Sequence, residues 1–298
     1  MTALAESSAH DRVVRYIDEG AADWRPVVFF GGLGTDVNAF YATELARNVR
    51  ERFRLRFVSV ERNGFGMTPF DPSLGYEDAV DDVLGVLDAL EIRRFAMVAI
   101  SGGAPFAAAL AARVPHRVLS LHLAAPVAGP LVVQCGTASV LYAPPSRLAV
   151  DPPLAHEWRL LSSEPLADLS GLYAPAYLYW GLDDDVVPAD HVSEWRRVLP
   201  RVAALRAYPG DGHDVRYRHW ERSCGTWPVW APSSARDDHR VAFVWWGDTT
   251  PVIEPPEATA DPCVRRDPNT STPDRKYHDR MRALNGPAPF VTCGPVAM

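Results

Sequence analysis

Phe95-Ala96-Met97-Val98-Ala99-Ile100-Ser101-Gly102-Gly103 decides how the rest of this chain is read. Its first six residues form an apolar run of the length of a buried strand. Ala104 to Arg113, an Ala-rich stretch, follows and predicts a helix. Ser101 stands between the two, among very small residues. A serine on so tight a strand-to-helix turn takes strained backbone angles, and nothing bulky fits two positions to either side. The turn lifts the hydroxyl above the sheet and aims a helix N-terminus at it, which favours developing negative charge. Ala99 replaces the glycine that usually opens this G-x-S-x-G pattern, and it is the smallest replacement with a side chain. A serine before a helix can also be a simple N-cap with no chemistry. The five residues alone leave both readings open.

Around this stretch, apolar runs alternate with helical patterns as far as about residue 222. Val27-Val28-Phe29-Phe30 predicts a buried strand ending at Gly31-Gly32, and residues 55–60 predict a second ending at a Gly-rich loop. Val80, Val83, Leu84, Leu87 and Leu90 recur at three- and four-residue spacing with Asp78, Asp81, Asp82 and Asp88 between them, which predicts an amphipathic helix with an acidic outer face. Further strands are expected at residues 119–124, 176–180 and 204–208. Such alternation implies the α/β class: a mostly parallel central sheet flanked by helices. Sites in such sheets form at the carboxyl ends of the strands. Residues 126–172 break the rhythm with six prolines between 126 and 153 and apolar residues such as Leu141, Tyr142, Trp158, Leu160 and Leu161. They read as a short lid inserted above the serine, since long structureless loops are uncommon in compact domains unless functional.

Composition narrows the function classes. The chain has 298 residues, 47% of them hydrophobic, enough for one large domain with a full core or two small ones. A net charge of −7 without a basic cluster argues against nucleic-acid binding. Met1 to Arg12 has no apolar stretch of the secretory kind, and no run approaches membrane-span length. Cys135, Cys224, Cys263 and Cys293 lack C-x-x-C spacing, and read as isolated thiols in a cytoplasmic protein. Lys276 is the sole lysine, which points to a gene of high G+C content rather than to a function.

A serine nucleophile needs a base and a group that orients the base. The best base is His213, in the turn Pro209-Gly210-Asp211-Gly212-His213 just after a predicted strand. The best acid is Asp184, directly after the strand ending at Trp180. With these residues in place, the chain resembles the α/β-hydrolase family over about residues 13–222. Gly31-Gly32-Leu33-Gly34 resembles the family's oxyanion loop, and residues 62–68 its R-x-G-x-G-x-S/T turn. Residues 99–103 resemble the nucleophile elbow, and Gly181-x-x-Asp184-x-x-x-Pro188 and Gly212-His213 the acid and histidine turns. The order Ser101…Asp184…His213 is the family's own. Gly31 stands where the family usually has histidine, and Asp184 is flanked by Asp183 and Asp185, so the acid rests on its spacing from Gly181 and Pro188. His122 reads as a satisfied core histidine. His116, His156, His191 and His219 read as residues of helix ends or loops, without metal-ligand spacing.

The resemblance implies a catalytic triad of Ser101, Asp184 and His213, with the Leu33 and Gly102 amides binding the oxyanion. Phe65 and Trp158 would line a substrate pocket. No metal or cofactor is expected. The expected substrate is a small or medium ester or lactone, with no nucleic-acid or membrane partner. C–C bond hydrolases, perhydrolase-type enzymes and acyltransferases share the fold, and a non-catalytic ligand receptor is a further alternative. Residues 222–230 have neither strand nor helix periodicity, and residues 231–298 are rich in Pro, Asp and Thr, so residues 223–298 stand apart as an irregular tail. They read either as a disordered extension or as the product of a shifted reading frame near codon 222. One choice of codons for residues 222–231, read two bases on, encodes a short amphipathic helix.

Overall fold

The computed structural model describes residues 2–7, 12–40, 47–129, 148–187, 189–215 and 219. Eight strands form one sheet: β1 (Thr2–Ser7), β2 (Arg12–Glu19), β3 (Arg25–Phe30), β4 (Leu55–Val60), β5 (Phe95–Ile100), β6 (Val118–Ala124), β7 (Ala176–Gly181) and β8 (Val202–Tyr208). Their order is β1-β2-β4-β3-β5-β6-β7-β8. β1 and β2 run antiparallel at one edge, and all pairs from β4 to β8 are parallel. The sheet thus begins ahead of residue 13, where the sequence reading started the core. The helices are α1 (Arg47–Phe53), α2 (Tyr76–Ala89), α3 (Ala104–Arg113), α4 (Pro152–Ser163) and α5 (Ala189–Val198). Among the described residues, no helix is long and apolar enough to cross a membrane.

Side chains alternate between the two sheet faces, as the two-residue strand period requires. Val28, Phe30, Met97, Ala99 and Leu123 share one core with Val83 and Leu87 of α2, Phe106 and Leu110 of α3 and Trp195 of α5. Val27, Phe29, Val98, Ile100, Tyr177 and Tyr179 face the other side, with Phe40 and Phe57. β5 is buried at all six positions because both faces are covered. On α2 the acidic outer face is incomplete: Asp82 is buried, while Asp81 and Asp88 reach Arg113 and Arg117 at the surface.

His122 bears out its core reading. Both ring nitrogens are hydrogen-bonded, Nδ1 with the Tyr179 hydroxyl at 3.0 Å and Nε2 with Ser120 Oγ at 3.1 Å. The ring stacks on Tyr177. His156 is a buried residue inside α4 rather than the end or loop residue expected, while His191 lies, as expected, at a helix end, in the first turn of α5, and is buried. His191 Nδ1 accepts the Ala128 amide at 2.8 Å, and His156 donates to the Leu74 carbonyl.

Of the stretch read as a lid, the described part holds α4. Asp151 caps it by accepting the Leu154 amide at 3.1 Å. Leu154, Leu160 and Leu161 are buried beneath it. Leu141 and Tyr142 lie outside the described residues, as do all four cysteines and residues 220–298.

The turn after β5 is a single 3-10 turn, Ser101–Gly103, leading into α3. Gly103 lies hard against the end of β3. A Cβ there would sit 2.4 Å from the Gly31 carbonyl oxygen and 2.7 Å from that of Phe30, both backbone atoms. Gly103→Ala should therefore force the two strand ends apart and destabilise by about 1–3 kcal/mol. Gly85→Ala on α2, where a Cβ meets open space, should be neutral or stabilising by up to about 1 kcal/mol. Urea denaturation midpoints of the two variants check the contrast.

Burial pushes the pKa of His122 down to about 3 and that of His191 down to about 4. Both rings are neutral in the fold and protonate on unfolding once the pH falls below about 6.5. Their contribution is fully present above that pH and is lost as the pH drops towards 4 and 3, at up to about 1.4 kcal/mol per pH unit per histidine. Denaturation between pH 7 and pH 4 should show this slope. His122→Gln should flatten it, and an unchanged slope would exclude His122 as a source.

Candidate active site

Ser101 is 2% exposed and holds φ +51°, a left-handed conformation that strains a residue with a side chain. It is not the helix cap, because Gly103 occupies that position of α3. Its strain is held from both sides, by buried β5 and by α3, which is buried from Ala104 to Ala111. The Ser101 carbonyl also accepts the Val127 amide at 3.1 Å. Ala99 is fully buried in the core at the position where the pattern usually has glycine.

Gly181 brings the acid and histidine turns together. A Cβ on it would lie 2.3 Å from the Asp211 carbonyl oxygen and 2.4 Å from that of Gly212. With glycine there, the Asp183 amide donates to the Asp211 carbonyl at 2.9 Å. Asp184 is the buried member of the three aspartates, and Asp183 and Asp185 are exposed. Its Oδ1 accepts the Val186 and Val187 amides at 2.9 and 2.8 Å. Its Oδ2 accepts His213 Nδ1–H at 3.0 Å. Two backbone donors on one oxygen leave the other aimed at the imidazole, and that bond turns His213 Nε2 away from the acid.

Ser101 and His213 line one cavity of about 220 Å³ with Phe29, Gly31, Gly32, Leu33, Thr35, Ala39, Ile100 and Val186. The loop 31–34 approaches the elbow closely enough that a Cβ on Gly102 would lie 3.0 Å from the Leu33 nitrogen. The elbow and the loop read as an oxyanion loop are thus in contact. An oxyanion formed when a carbonyl carbon bonds to Ser101 Oγ would develop beside both backbone segments.

Phe65 and Trp158, expected to line the pocket, are not among the described residues around this cavity. Phe65 borders an adjoining cleft with Gly34, Asp36, Gly66 and Asp151, which shares Thr35 and Ala39 with the cavity, its ring under the Arg62 guanidinium at 5.7 Å. The turn closes on itself there, through Phe65 N to Arg62 O and Thr68 N to Phe65 O. The Glu61 carboxylate accepts the Met67 and Thr68 amides. Trp158 packs with Val127, Leu161 and Val187, and this cluster reaches the cavity wall only through Leu33 and Val186.

Sequence reading missed Glu157. It is buried on α4 and pairs with Arg62 at 2.5 Å. A signal was available: Glu157 falls three residues after Leu154 and four before Leu161, on the helix's apolar stripe. Its partner across the fold was not legible.

Residues 25–155 match the sequence profile of the α/β hydrolase fold. A stretch of 108 residues is 37% identical to the 2-hydroxy-6-oxo-2,4-heptadienoate hydrolase of Pseudomonas putida. The match takes in 36% of this chain, and the chain spans 38% of the length of that relative. The solved structure of a hydrolase from Pseudomonas aeruginosa superposes with a TM-score of 0.58 at 22% identity, over 74% of this chain and 96% of the other. A thermophilic esterase from Thermogutta terrifontis does so with a TM-score of 0.56 at 18% identity, over 76% and 96%. Sheet order, elbow, profile and superpositions agree: this chain has the α/β-hydrolase fold.

Proposed function

We propose that this protein is a serine hydrolase that cleaves carboxylic esters through an acyl-enzyme. The observation that carries the reading is that Ser101 and His213 line one cavity while His213 is tied to the buried Asp184. Ser101 Oγ attacks the ester carbonyl carbon as His213 Nε2 takes the hydroxyl proton. Asp184 holds the imidazole in the required tautomer and stabilises the imidazolium. The Leu33 and Gly102 amides receive the tetrahedral oxyanion, and losing one such donor costs about 3–4 kcal/mol of transition-state stabilisation. The C–O bond breaks, and the alcohol leaves with the proton from His213. Water then attacks the acyl-enzyme with His213 again as base, which restores Ser101.

Size and lining point to the substrate. A cavity of about 220 Å³ is smaller than the roughly 300–1,000 Å³ usual for drug-sized ligands. Phe29, Leu33, Ala39, Ile100 and Val186 give it an apolar wall with Thr35 as a polar point. Short-chain, uncharged acyl groups and small lactones fit best. Isolated cysteines suit a cytoplasmic enzyme. A second reading, hydrolysis of a C–C bond in a vinylogous diketo acid, is favoured by the 37% identity over 108 residues to an enzyme named for such a substrate.

A fluorophosphonate should label Ser101, and the label should vanish in Ser101→Ala and His213→Ala. Folded protein that takes no label would overturn the hydrolase reading in favour of a ligand receptor. A panel of p-nitrophenyl esters, lactones and vinylogous diketo acids should show fastest turnover of short esters. Faster turnover of the diketo acids would replace ester with C–C hydrolysis. Asp184→Asn should keep the fold and lower kcat by about 10⁴-fold, because the amide favours the wrong imidazole tautomer.

A further inference from the structure

Two charged side chains lie buried directly behind the Gly31–Gly34 loop, and the reaction steps above use neither. The side chains of Arg62 and Glu157 are 9% and 3% exposed. Charges so placed are tolerated only when their hydrogen bonds are made, and here the backbone of the loop makes them. Arg62 Nη1 donates to the Gly31 carbonyl at 3.0 Å. Nη2 donates to the carbonyls of Gly32 at 2.7 Å and Thr35 at 3.3 Å. Nε donates to Glu157 Oε1 at 2.5 Å, and Glu157 Oε2 accepts the Gly34 amide at 2.7 Å. One ion pair thus ties the backbone on both sides of Leu33.

The peptide between Gly32 and Leu33 is the important one. In a planar trans peptide the N–H points opposite to the C=O. Drawing the Gly32 carbonyl towards Arg62 therefore turns the Leu33 N–H the other way, to the side of the elbow, where a Cβ on Gly102 would lie 3.0 Å from that nitrogen. Glu157 belongs to α4, whose first turn also closes on this loop: a Cβ on Gly34 would lie 2.7 Å from Leu154 Cδ1.

We propose that Arg62 and Glu157 are positioning residues that aim the Leu33 amide at the oxyanion, so that docking of α4 completes the oxyanion hole. This rests on the ester-hydrolase reading for what the amide does, but not for how it is held.

The experiment compares wild-type protein with Glu157→Gln and with the double variant Arg62→Met/Glu157→Leu. The double variant replaces the ion pair by apolar side chains and keeps the site packed if the single variant fails to fold. Amide hydrogen exchange, read by peptide mass spectrometry, reports the loop without any need for turnover. Exchange across residues 31–35 should rise about tenfold or more in the variants, with residues 95–100 unchanged. In wild type against Glu157→Gln on p-nitrophenyl acetate, kcat should fall about 10- to 100-fold with KM within about twofold. Unchanged exchange at residues 31–35, or an equal rise at residues 95–100, would overturn the proposal. So would full kcat in the double variant. Wild-type protein that neither labels at Ser101 nor turns over any ester would instead defeat the ester-hydrolase reading, while the exchange result still decides how the loop is held.

Discussion

Everything at this site depends on the close approach of two parallel strand ends. β3 and β5 are hydrogen-bonded neighbours, so their carboxyl ends emerge side by side. The chain turns sharply at both ends, and the turns touch where Gly103 meets the carbonyls of Phe30 and Gly31. That contact leaves no room for a side chain on the elbow's last residue. It also puts the loop from β3 next to the serine, so that the proposed nucleophile and the amides that would meet an oxyanion share one edge. Ser101 in a left-handed conformation is a strained residue, of the kind that costs of order 1–3 kcal/mol and persists only when its surroundings over-determine it. A strand buried at six positions and a helix buried at eight supply that rigidity.

Around this contact, buried charges organise loops rather than stabilise a core. Asp184 takes two amides of its own turn. Glu61 takes two amides of the turn after β4. Arg62 and Glu157 together bind four backbone groups of the loop after β3. In each case the low dielectric that makes an unpaired charge costly makes the paired geometry specific. Neutral groups do the same on α5: His191 accepts the Ala128 amide, and Trp195 Nε1 donates to the Val127 carbonyl. The Val127 amide in turn reaches the Ser101 carbonyl. Glu157, His191 and Trp195 thus pin strand-end loops from helices on which the sequence shows no motif.

Legibility followed the range of the interaction. The strand at 95–100 and the helix at 104–113 were readable because burial on both faces demands a continuous apolar run and tight packing favours alanine. β2 was missed because it is an antiparallel strand near the sheet edge. Arg15 and Asp18 break its apolar run and pair with Glu61 and Arg56 in the tertiary structure. Asp184 was picked from three adjacent aspartates by spacing alone. Its burial is the physical reason that choice suits the site, and it needs the contact of Gly181 with residues 211 and 212. Asp82 shows the opposite limit, since a helical wheel put it outside and packing buried it.

Local chemistry in the chain was therefore enough for the fold class, the elbow and the three residues proposed to react. Each of these is written in residues within a few positions of one another: apolar runs, small residues at turns, an acid and a histidine just after strands. The wall of the cavity and the support of the loop were decided only by folding. Phe65 and Trp158 are aromatic and near the right motifs, yet the turn after β4 sets Phe65 in the adjoining cleft and the cluster around Val127 sets Trp158 behind Leu33 and Val186. Glu157 finds Arg62 across 95 residues of chain and Gly34 across 123. Partnerships over such distances leave no local pattern, because the energy that selects them exists only once the strands have brought both ends to the same edge of the sheet.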